Sequence, residues 1–271
     1  MSRLHLTFGC GESRLAASLD TAPGTTGLLI VSGGNEIRSG AFAGQAQLAA
    51  SIARAGFPAF RFDRRGIGDS EGENRGFRRS ARDIAAAVEA FRALAPQIRR
   101  VVAFGNCDAA SALMLAGGAG CDGLVLSNPW TIADAASDNA EALPPDAIRA
   151  RYREKLMNPR EVARLLSGGV DLGKLARGLA RLLRPAPGSS SLAEEMRAGL
   201  AGFAGPVTIL LATADRTAQL FEAAWDPSDP RIARCKGAGH AYAEPEHRAW
   251  LEAQVLGALR GQGMFGSNGS G

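Results

Sequence analysis

Hydrophobic positions along the chain fall into two alternating rhythms. Short continuous apolar runs closed by glycine, asparagine or aspartate occur in TGLLIVSGG (26–34), FPAFRFD (57–63), RRVVAFGN (99–106), DGLVLSNPW (122–130), VTILLATAD (207–215) and RIARC (231–235). Such runs suit strands buried on both faces of a parallel sheet. Between them lie stretches with apolar residues at helical spacing: 42–55, 80–95, 107–117, 217–225 and 244–260. At the start, LHLTF and RLAASLD, split by GCGE, predict a short hairpin at a sheet edge. Alternation of strand and helix in short units predicts an α/β chain with a mostly parallel sheet flanked by helices. From about Thr131 to Ala204 the alternation stops. That segment carries amphipathic helical patterns such as DAIRARYREKLMNPREVARLLSG (146–168) and no convincing strand. The simplest organisation is one sheet domain made of residues 1–130 and 205–271, with a helical cap of residues 131–204 inserted before the strand that ends at Asp215.

Composition narrows the classes. A chain of 271 residues with 46% hydrophobic and 21% charged content can bury a large core and is not disordered. The net charge of +4 is spread among acids. Its densest basic stretch, RGFRRSAR (75–82), reads as a solvated helix start, so no nucleic-acid partner is expected. The four cysteines (Cys10, Cys107, Cys121 and Cys235) form no C-x-x-C pair, and with three histidines no metal site is expected. Sparse cysteine, an N-terminus without an apolar signal core and no run of 18 apolar residues predict a cytoplasmic protein with no membrane span. Nothing in the pattern indicates oligomeric state.

The chemistry concentrates at Gly105-Asn106-Cys107-Asp108-Ala109. A strand ends here and a helix of small residues begins at once. The corner therefore sits at the carboxyl edge of the sheet, where open α/β folds place ligands. The arrangement follows G-x-S-x-G, with cysteine for the serine and alanine for the second glycine. A thiolate gains from a helix N-terminus, and the Asp108 N–H is placed to meet an oxyanion. Gly34 or Asn35, in the loop after an earlier strand, would give the second donor. The Asp108 carboxylate has an opposing effect, since it would raise the thiol pKa.

A nucleophile needs a base and an orienter. His240, in the glycine-rich loop after RIARC, and Asp215, after VTILLATA, stand in the order nucleophile, acid, histidine, as in α/β-hydrolases. His247 falls in the last helical pattern and His5 in the hairpin, which leaves His240 as the base. Trp130 and Asn128 are candidates for the pocket mouth, with Trp130 equally able to anchor the insertion. Asp63 and Asp69 read as turn-holding residues. The implied reaction is cofactor-free acyl chemistry through Cys107 on a small-molecule ester or thioester. Acyl transfer to a saccharide, or a binding module that kept the fold without the reaction, stays open beside hydrolysis.

FRFDRRGIGDSEG (60–72) resembles the D-x-R-G-x-G-x-S loop of α/β-hydrolases. With GNCDAASALMLA, LVLSNPW, REKLMNPREVARLLSGGVDLGKL and LLATADRTAQLF, nearly the whole chain resembles the exosortase A system-associated hydrolase 1 family. That resemblance implies an α/β-hydrolase fold and a bacterial cytoplasmic enzyme linked to exopolysaccharide or exosortase functions, without implying a substrate.

Overall fold

The computed structural model describes residues 2–132 and 191–262. Eight strands form one sheet: β1 (Arg3–Cys10), β2 (Ser13–Asp20), β3 (Thr26–Val31), β4 (Ala59–Phe62), β5 (Arg100–Asn106), β6 (Gly123–Ser127), β7 (Val207–Ala212) and β8 (Ile232–Cys235). Their order is β1-β2-β4-β3-β5-β6-β7-β8. The β1–β2 hairpin is antiparallel and lies at the edge, joined antiparallel to β4. Every later pairing is parallel. The described helices are α1 (Gly44–Arg54), α2 (Ala81–Leu94), α3 (Asp108–Leu115), α4 (Ser191–Ala201), α5 (Arg216–Ala224) and α6 (Pro245–Leu259). This is the fold class that the alternating runs predict. Among the described residues no helix is long and apolar enough to cross a membrane.

The central strands are near-continuous apolar runs because both of their faces are covered. Leu28 and Ile30 of β3, Val102 and Phe104 of β5 and Val125 of β6 pack with Leu48 and Ile52 of α1 and Val255 of α6. On the remaining positions, Phe60 of β4 stacks on Phe91 of α2 with ring centroids 5.3 Å apart. Parallel strands in register bring the ends of β3, β5, β6, β7 and β8 to one carboxyl edge, and the loops leaving that edge carry the candidate chemistry.

Two boundaries differ from the sequence pattern. Periodicity starts a helix at Phe42, whereas α1 starts at Gly44. Phe42 and Ala43 have left-handed backbones, at φ 52° and 56°, within a short 3₁₀ turn at Ala41–Ala43. Side-chain spacing carries no information about the sign of φ. The second difference concerns α4, which the sequence pattern assigns to the 131–204 cap. Ser191–Ala201 instead belongs to the same compact unit as the sheet. A Cβ at Gly199 would fall 2.2 Å from the Met114 carbonyl oxygen, so glycine lets α4 lie directly on the end of α3. Arg197 also sits over the Trp225 ring, 4.8 Å from its centroid. Residues 133–190 of the expected cap lie outside the described residues.

Candidate active site

The corner at Cys107 is built by close packing. A Cβ at Gly105 would stand 2.8 Å from the backbone of Ala109 and Ala110, so only glycine lets β5 pass so near α3. Cys107 itself has φ 60° and ψ −128°, an uncommon conformation for a residue with a side chain. It is held there on several sides. Its N–H donates to the Ser127 carbonyl (3.0 Å), and its carbonyl accepts from the N–H groups of Ala110 (3.1 Å), Ser111 (3.3 Å) and Trp130 (3.4 Å). Such strain persists only where the surroundings over-determine it. The thiol is half-buried, and α3 begins at the next residue.

His240 and Asp215 meet at this corner. Asp215 is buried and caps α5, accepting from the Ala218 N–H at 3.2 Å. The same Oδ2 lies 2.9 Å from His240 Nδ1. Burial by itself would lower the imidazole pKa. Hydrogen bonds to Asp215 and to the Cys107 side chain, with the charges of both, outweigh it and push the pKa from 6.5 up to about 10. Asp215 and His240 thus meet through a hydrogen bond, and the Cys107 side chain lies near enough to bear on the imidazole's charge. His5 bonds Ser18 and His247 bonds Glu244, so neither belongs to this group.

The Asp108 side chain faces the loop after β3. Its Oδ1 accepts from the Gly34 N–H at 2.6 Å, and its Oδ2 from Arg64 at 3.2 Å. Arg64 also donates to the Gly34 carbonyl and to Ser80. The Arg64 guanidinium therefore balances the carboxylate that would otherwise oppose a thiolate. Arg64 carries no spacing signal in the sequence; it is one of two adjacent arginines in FDRRG. Gly34, expected as an oxyanion donor, has its N–H engaged by Asp108. Asn35 is exposed, and its side chain accepts from Asn74 at 3.1 Å.

Asn128 corrects an expectation. It does not line a pocket mouth: it is fully buried, and its amide is consumed by protein partners. Trp130 meets the elbow through its backbone, donating to the Cys107 carbonyl and accepting from Ser111 Oγ at 2.8 Å. Asp63 accepts from the N–H groups of Arg38 and Asp69, and Asp69 pairs with Arg38, so both aspartates hold their loop. A cavity of about 360 Å³ lies elsewhere, between the β1–β2 turn and the start of α2, and includes none of Cys107, Asp215 and His240.

Residues 28–254 match the model of a family described as "Alpha/beta hydrolase family". No curated protein matches the chain. Among solved structures, the chain is similar to the alpha/beta hydrolase GrgF from Penicillium sp. sh18, with 17% identity, a TM-score of 0.62 and coverage of 96% of this chain and 99% of that one. It is similar to the Pyrococcus furiosus esterase Pf2001, at 13% identity and TM-score 0.62, covering 96% and 91%. It is also similar to Est1E from Butyrivibrio proteoclasticus, solved with ferulic acid, at 16% identity and TM-score 0.57, covering 95% and 98%. At these identities the likeness is one of fold.

Proposed function

Because this chain belongs to the alpha/beta hydrolase family, we propose that it cleaves an ester or thioester through a Cys107 acyl-enzyme. The observation that carries this reading is the His240 imidazole, bonded at Nδ1 to the buried Asp215, with the Cys107 side chain among the groups that raise its pKa. Esterases occur among its structural neighbours. The link to exosortase or exopolysaccharide systems rests on the sequence resemblance alone.

The mechanism follows from charge and geometry. The Cys107 proton passes to His240, giving a thiolate and an imidazolium. Asp215 stabilises the imidazolium, and the N-terminus of α3 favours the thiolate. Sulfur attacks the carbonyl carbon, and the electron pair of the C=O bond moves to oxygen. The Asp108 N–H meets that oxyanion. With the Gly34 N–H held by Asp108, the Asn35 N–H is the candidate second donor. Collapse breaks the bond to the alcohol or thiol, which leaves with the proton from His240. Water, deprotonated by His240, then attacks the acyl-sulfur bond, releases the acid and restores the thiol.

Mass spectrometry after exposure to p-nitrophenyl esters of graded chain length tests the reading. An acyl adduct on Cys107, absent in Cys107→Ala, is the expected result. His240→Ala should slow adduct formation about 100-fold or more, the scale of general-base loss. A second reading, a binding module that retains the fold, draws on the occupied Gly34 N–H. Failure of every activated ester to label the wild type would favour it.

A further inference from the structure

The base in the proposed reaction stands on a loop poorly suited to hold it. His240 is flanked by Gly237 (φ 76°) and Gly239, and its side chain is 40% exposed. The Asp215 bond fixes one ring nitrogen, and the loop is tied before His240 by Gly237 N–H to Thr213 Oγ1 (2.8 Å) and Ala214 N–H to the Ala238 carbonyl (3.0 Å). At the His240 carbonyl itself the constraint comes from two asparagine side chains that the mechanism does not use.

Asn128 sits just past the end of β6, fully buried, with φ 43°. Asparagine tolerates this left-handed backbone better than most residues with a side chain. Its Oδ1 accepts from the Ala212 N–H at 2.8 Å. Its Nδ2 donates to Asn106 Oδ1 at 3.0 Å and to the His240 carbonyl at 3.4 Å. Asn106 Nδ2 donates to that same carbonyl at 3.3 Å. The orientation of both amides is forced. The His240 carbonyl can only accept and the Ala212 N–H can only donate, so each Nδ2 must face the histidine loop. Both lone pairs of the His240 carbonyl are then used.

The three partners of this cluster are the three carriers of the site. Asn106 precedes Cys107, Ala212 ends the strand leading to Asp215, and the carbonyl belongs to His240 itself. We infer that Asn128, with Asn106 as its relay, is a positioning residue that sets the imidazole against the thiol by clamping the His240 backbone to the ends of β5 and β7. This rests on the proposed roles of Cys107 and His240. The two claims separate by experiment.

The test is the pH dependence of Cys107 alkylation by iodoacetamide, with the modified residue located by mass spectrometry. Wild type against His240→Ala examines the proposed pair alone: coincident profiles would defeat that reading. Given a His240-dependent profile in the wild type, Asn106→Ala is the deciding variant. It removes one bond to the His240 carbonyl and the acceptor for Asn128. The expected result is a folded protein whose His240-dependent alkylation falls roughly 10- to 100-fold, as displacements near 1 Å produce. Asn128→Ala should fall further. If Asn128→Ala does not fold, Asn106→Ala still decides, because residue 106 is only half-buried. A merely structural asparagine would change the melting temperature and leave the profile in place. An Asn106→Ala protein with a wild-type profile overturns the inference.

Discussion

Arg64 shows how one residue can decide whether a neighbour helps or harms. An unbalanced carboxylate beside the proposed nucleophile would repel a developing thiolate, and Asp108 is the carboxylate in that position. The Arg64 guanidinium, 6% exposed, stands 3.2 Å from it. Replacing Arg64 by methionine would leave the Asp108 charge largely buried and unpaired. The expected cost is about 3 kcal/mol in urea unfolding, with slower Cys107 alkylation. Adding Asp108→Asn on that background should recover most of the stability, because it removes the stranded charge. Failure of the double variant to recover would mean that Arg64 acts through packing alone. Asp108 was legible as a first-turn acid, but its partner was not. Arg64 lies 44 positions away, and no local pattern relates the two.

At the scale of elements, the strand–turn–helix at β5–α3 is the part most fully written in the sequence. An apolar run, a glycine, a cysteine and then small residues dictate a tight crossing, and the structure has one. Gly105→Ala tests it. The added methyl would sit 2.8 Å from backbone atoms, which cannot swing away as a side-chain tip could. A loss of about 2 kcal/mol is expected from such overpacking, read as a shift in the urea midpoint. A variant as stable as the wild type would show that the crossing can open without cost. Helix α4 is the contrasting element. Its residues are amphipathic in sequence like those of the expected cap before it. What joins it to the sheet domain is tertiary contact: the close approach at Gly199, Arg197 over the Trp225 ring and the Arg78–Glu195 ion pair.

Across the whole molecule, the His240 site links the proposed chemistry to stability. The imidazole's pKa is raised from 6.5 to about 10 by Asp215 and the Cys107 side chain. A group whose pKa rises on folding stabilises the folded state fully below its ordinary pKa and loses that contribution as pH climbs through the folded value. The melting temperature of the wild type should therefore exceed that of His240→Gln near neutral pH, with the margin shrinking between about pH 7 and 10. A margin independent of pH would show that the ring's charge is not coupled to folding. The sequence by itself determined the strand and helix rhythm, the glycine-cysteine corner and the order in which Cys107, Asp215 and His240 follow one another. Those features are local, because periodicity and turn chemistry act over a few residues. Tertiary structure alone decided that Arg64 pairs with Asp108, that Asn128 is buried with its amide bonded to the His240 and Ala212 backbone, and that α4 joins the sheet domain. Asn128 lies 112 positions from His240. Parallel strand order brings such distant loops to one edge, and which side chains then meet depends on register and backbone sign, which spacing along the chain does not encode.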